Sequence, residues 1–132
     1  MDSAYVPFSF PDVYQGLAKG GGIAIATDVG LTLEFQVKDG FFGVIKSGVQ
    51  KVSIPLSELQ SVALKQGFFR NRLFIKVRSM TILADVPGSD LGQVELRVAR
   101  NDKRAAQALV SLLTLSLSER QLAELSKTRL TT

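Results

Sequence analysis

Five cations fall within one stretch that holds no acid. Between Leu59 and Ala84 stand Lys65, Arg70, Arg72, Lys76 and Arg78, with no Asp or Glu among them. Phe68, Phe69 and Phe74 are interleaved with these bases. Cationic side chains can hold phosphate or carboxylate, and a ring set among them can stack on a base or cover an apolar contact. Lys65, Phe68, Phe69, Arg70, Arg72, Phe74, Lys76 and Arg78 are therefore the candidate anion- or partner-binding surface. The same residues also fit a plain reading. The arginines would then solvate an exposed strand, Phe74 would lie under the N-terminal segment, and Phe68-Phe69 would close one end of the fold.

Catalytic chemistry finds little to work with. The chain has no His and no Cys, which removes the commonest general base, the thiolate nucleophile and the soft metal ligands. Asp28, Asp39, Asp85 and Asp90 all stand at expected turns, where a carboxylate bonds local backbone. Ser47 and Ser57 have no imidazole to activate them. No catalytic, cofactor-binding or metal-binding residue is expected, and the chain is expected not to be an enzyme. The Gly20-Gly21-Gly22 run is not a phosphate loop, since no Gly-Lys-Ser/Thr step and no helix follow it.

Whatever these surfaces bind, strands must position them. Ile23–Thr27 reads as a first strand, with a turn at Asp28-Val29-Gly30. Leu31, Leu33, Phe35 and Val37 alternate with polar residues, a period of two with one dry face. Asp39-Gly40 is a hairpin signal leading to a strand over Phe41–Val49. Lys51–Pro55 leads on to strands at Leu59–Lys65 and Arg72–Ser79, a short one at Met80–Ala84, and a last one at Gln93–Arg100. Leu73, Ile75 and Val77 should point inward, as should Val94, Leu96 and Val98. Arg72, Phe74, Lys76 and Arg78 should point outward. Short links favour antiparallel pairing throughout. A helix over about 102–117 then carries Leu109, Leu113 and other apolar residues on a wide face. A second short helix with Leu122 and Leu125 is expected after Ser118, and a loose tail from about Lys127. The longest uncharged stretch, Ala105–Ser118, is 14 residues, too short for a bilayer span. No basic and then apolar segment opens the chain, so no signal peptide is expected and the location expected is cytoplasmic.

Seven antiparallel strands closed by one C-terminal helix resemble a bacterial pleckstrin-homology-like (PH/GRAM-like) domain. The residues carrying the resemblance are Ile54-Pro55-Leu56-Ser57-Glu58-Leu59 leading to Val62, the strand Leu73–Val77, and Val94–Arg100 running into Asn101-Asp102 and the Ala/Leu helix. It covers about residues 22–117 and implies a mainly β fold, a seven-stranded barrel or sandwich capped by one helix. Members that bind phosphoinositides carry basic residues in their first hairpin. Here that hairpin, Ala26–Thr32, has no Lys or Arg and carries Asp28. Specific phosphoinositide binding is therefore not expected.

The domain limits expected are an N-terminal arm over 1–21, the PH-like unit over 22–118, and a helical extension with a loose tail over 119–132. Tyr5, Phe8, Phe10 and Tyr14 make the arm too aromatic to stand bare in water. It is the candidate assembly segment, docking on its own fold or on a second copy. A non-enzymatic module binding a protein partner or itself as a homo-oligomer is the function expected. Anionic membrane or nucleic acid at the hairpin 65–78 is the alternative. The net charge of +4 is compatible with each.

Overall fold

The computed structural model describes residues 3–10, 18–39, 48–68 and 70–131, with side chains left out at 18, 19, 38, 39 and 128–131. Seven strands form one antiparallel sheet: β1 (Ser3–Ser9), β2 (Ala18–Thr27), β3 (Gly30–Asp39), β4 (Gln50–Pro55), β5 (Leu59–Gln66), β6 (Asn71–Val77) and β7 (Gln93–Val98). The chain ends in one helix, α1 (Lys103–Thr131). The strand order is β4-β3-β2-β1-β7-β6-β5. Two antiparallel meanders, β1 to β4 and β5 to β7, thus meet through the pair formed by the first and last strands. That joint is narrow, with Ser9 opposite Arg97 as its only register pair among the described residues.

The sheet is not closed into a barrel. Its edges, β4 and β5, are joined by the short turn Leu56–Glu58 yet do not pair with one another. Inward residues of both meanders share one core with Ala106, Leu109 and Leu113 of α1. The alternation read in the sequence is the alternation found. Leu73, Ile75 and Val77 are buried, as are Val94, Leu96 and Val98, while Arg72, Lys76 and Arg78 are exposed.

The segment expected to be an arm is instead built into the sheet. Ser3–Ser9 is β1, paired with β2 from Ser3↔Thr27 to Ser9↔Gly21. Val6, Phe8 and Phe10 are buried in the common core. Domain limits at 1–21 and 22–118 therefore do not separate two units. The alternation of Val6, Phe8 and Phe10 with Tyr5, Pro7 and Ser9 is a strand signature that the two prolines obscured. Pro7 nevertheless sits in the ladder, opposite Ile23.

Gly20-Gly21-Gly22 is correspondingly not a hinge but the start of β2, inside the sheet. The residues β2 turns toward the core are small: Gly20, Gly22, Ala24 and Ala26. Beside them stand Val6 and Phe8 on β1 with Phe10 just past its end, and Leu31, Leu33 and Phe35 on β3. The result is a trough with large walls, and α1 contacts β1, β2 and β5. A Cβ at Gly22 would overlap the Glu34 carbonyl oxygen, so only glycine allows this approach of β3. Phe10 meets Phe8 and Phe35 edge to face, at centroid distances of 5.3 and 5.4 Å.

Three further expectations change. Met80–Leu83 is a 3-10 turn rather than a strand, placing Leu83 in the core. The helix does not end near residue 117. It continues unbroken through Thr131, so the expected second helix is a continuation of the first. The polar residues after Ser118 are good helix formers and need no partner to remain helical on an already nucleated helix. The expected strand at Phe41–Val49 and the expected helical turn after Asp12 lie outside the described residues, save Gly48 and Val49, which are not in a strand.

Candidate functional site

The outer face of β5, β6 and β7 carries the candidate site. Strand register aligns its side chains in rows. Lys65, Arg72 and Arg97 form one row, with Lys65 opposite Arg72 and Arg72 opposite Arg97. Ala63, Phe74 and Glu95 form the next, and Ser61, Lys76 and Gln93 the one after. Like charges directly opposite one another across strands destabilise a sheet. Three cations in line therefore repel one another along this face, and two kinds of local contact oppose that repulsion. Arg72 Nη1 lies 3.4 Å from Glu95 Oε1, an exposed pair of small energetic weight. Lys65 Nζ and Arg72 Cζ lie 5.3 and 5.8 Å from the centroid of the Phe74 ring, close enough for cation–π attraction.

Beside the basic row is an open groove of about 320 Å³, lined among others by Ala63, Phe74, Lys76 and Leu91. Leu91 has φ 52° and is 73% exposed. A leucine in left-handed backbone carries a steric penalty, and here it leaves an apolar side chain bare at the groove. Asp90 and Glu95 also line the groove, so its charge is mixed rather than uniformly positive.

The structure brings together Lys65, Arg72, Phe74 and Lys76 from the sequence-predicted set. Phe68 stands 84% exposed in the β5–β6 hairpin loop, with Arg70 exposed close by in the chain. Phe69 lies outside the described residues. Arg78 does not belong to the group. Beyond the far end of β6, it lines a separate cleft with Leu59, Leu117 and Arg120. Of the expected assembly residues, Phe8 and Phe10 are buried in their own core, Tyr5 is 67% exposed on the outer face of β1, and Tyr14 lies outside the described residues. Phe8 and Phe10 are thus not free to dock on a neighbour.

The sequence reading sets Glu95 on an outward strand face but leaves it, Arg97 and Leu91 out of the candidate surface. The outward period of β7 would have supplied Arg97 and Glu95. Only strand order could set them against Arg72 and Phe74. Nothing in the sequence marked Leu91.

Among the described residues, no three side chains of His, Cys, Asp or Glu come together as a metal site. No described helix is long and apolar enough to cross a membrane. No protein-family model, no curated protein and no solved structure matches the chain.

Proposed function

We propose that the chain is a non-enzymatic binding module of PH-like layout, whose outer β5–β6–β7 face docks an acidic, partly apolar segment of a partner protein. The two meanders followed by one C-terminal helix support the PH-like reading. The observation that carries the function is the in-register row of Lys65, Arg72 and Arg97 beside the Phe74–Leu91 groove. Carboxylates of a partner would relieve the repulsion along the row, and its apolar side chains would cover Phe74 and Leu91. Because β5 is an edge, an extended segment could add alongside it through main-chain hydrogen bonds. Glu95 and Asp90 line the groove itself, so a partner's carboxylates belong on the Lys65–Arg72–Arg97 row and its apolar side chains in the groove. A peptide supplies that uneven charge pattern, and a uniformly charged polyphosphate backbone does not.

Exposed Phe68 favours a second reading. Placed between Lys65 and Arg70, it suits shallow insertion into an anionic membrane. Binding measured by fluorescence anisotropy separates the readings. The probes are a labelled peptide alternating Glu and Leu, vesicles containing phosphatidylserine, and a single-stranded oligonucleotide. The peptide should bind in the micromolar range, and Lys65→Ala with Lys76→Ala should weaken it at least fivefold. Tighter binding to the vesicles, abolished by Phe68→Ser, would replace the protein partner with a membrane. Preference for the oligonucleotide would assign the row to nucleic acid.

A further inference from the structure

Helix α1 is 29 residues long, yet among its described side chains the last buried one is Ser116. On the side away from the core runs a second seam: Ala108, Ser111, Leu115, Ser118, Leu122 and Leu125, all exposed. Leu115, Leu122 and Leu125 are 57, 63 and 62% exposed. Steps of three and four residues alternate along the seam, the strict a/d pattern of a two-helix coiled coil. At about 100° per residue, the seam lies opposite Ala106, Leu109, Leu113 and Ser116, the four residues that face the core. A partner helix could therefore lie along it without meeting the chain's own sheet. No charged residue interrupts it between Arg104 and Arg129.

We infer that this seam binds a second copy of the chain, forming an antiparallel helix pair about a two-fold axis between residues 116 and 117. The occupant follows from the order of large and small residues. In that register Leu115 meets Ser118 of the other copy, Leu122 meets Ser111, and Leu125 meets Ala108. Every leucine faces a small residue, and each contact occurs twice, as an isologous interface requires. A parallel in-register pair would instead set serine on serine and leucine on leucine. By sequence position the same register sets residue 104 against residue 129 at both ends, and both are arginines. That like-charge pair is screened by salt, so association should tighten as salt rises. Ionic docking on the basic row would do the reverse.

The test is analytical ultracentrifugation of the full chain with four proteins: the unmodified chain, Ser111→Leu, Leu122→Ala and the double variant. Both positions are exposed, and circular dichroism verifies that each variant is folded. The unmodified chain should dimerise in the micromolar range. Each single variant should weaken the dimer about tenfold, Ser111→Leu by clash with Leu122 and Leu122→Ala by lost contact. The double variant should recover most of the affinity, because large and small have exchanged places. Arg104→Glu should tighten the dimer. A chain monomeric at several hundred micromolar in high salt would overturn the inference. So would a Ser111→Leu variant that associates more strongly, which would indicate unspecific apolar contact, or a double variant no better than the singles.

Discussion

Phe10→Ala tests whether the first strand belongs to the core. The ring is 5% exposed and contacts Phe8 on its own side and Phe35 on β3 at 5.3 and 5.4 Å. Emptying a buried Phe site costs about 3–5 kcal/mol. Two edge-to-face contacts, each about 0.5–1.5 kcal/mol beyond area burial, push the value to the upper half of that range. A loss of about 4 kcal/mol is therefore expected. With roughly 2.1 cal/mol/K of unfolding entropy per residue, that lowers the melting temperature of a chain this long by about 14 °C. Equilibrium urea denaturation, followed by circular dichroism and tyrosine fluorescence, should show the midpoint fall with the slope unchanged. Tyr5→Ala provides the control, because Tyr5 lies on β1 itself but on its outer face, 67% exposed, and should change stability by no more than about 0.5 kcal/mol. If Phe10→Ala lost less than 1 kcal/mol, or if Tyr5→Ala lost as much as Phe10→Ala, the assignment of β1 to the core would fail.

Leu109→Ala should cost about 2–5 kcal/mol in the same urea assay, since Leu109 is fully buried between α1 and the sheet. Gly22→Ala should destabilise by more than the roughly 1 kcal/mol of a typical point substitution, because its Cβ would meet the Glu34 carbonyl; a neutral result would mean β3 can draw back. Leu91→Asn should raise stability by up to about 1 kcal/mol, since Asn tolerates the left-handed backbone at φ 52°, yet should weaken peptide binding at the groove. Glu95→Gln should alter stability by at most about 1 kcal/mol, the exposed pair with Arg72 being weak, and should strengthen binding of the acidic peptide by freeing that cation.

Period-two alternation made the inner faces of β3, β6 and β7 legible, because a half-buried strand must sort its side chains by polarity. The outward run Arg72, Phe74, Lys76 and Arg78, of which Phe74 is half-buried, follows from the same rule. The apolar positions of α1 that enter the core, Leu109 and Leu113, were equally plain from helical spacing.

Local composition misled where a contact distant in sequence decided the outcome. Gly20-Gly21-Gly22 resembles a hinge because glycine gives up side-chain contacts. In the fold it is the trough strand, where neighbouring backbones come close. Pro7 and Pro11 make the first residues read as an extended arm outside the fold, although Val6, Phe8 and Phe10 already carry a strand's alternation. The partner that turns this segment into β1 is β2. Met80–Ala84 has strand-like residues, but the connection from β6 to β7 had to bend so that Leu83 could reach the core.

The candidate site divides in the same way. Residue types and their outward orientation on β6 are properties of the chain alone. The alignment of Arg97 with Arg72 and Lys65, the placing of Glu95 beside Arg72, and the separation of Arg78 into another cleft depend on which strands lie side by side and in what register. A cation's neighbours across a sheet come from hydrogen-bonded pairing of segments far apart in sequence, and no local pattern encodes that pairing. The seam on α1 shows both sides of the division. Its heptad spacing could be read directly, but whether that seam faces the core or water was settled by the packing of Leu109 and Leu113, since one helix can bury only one face against one sheet.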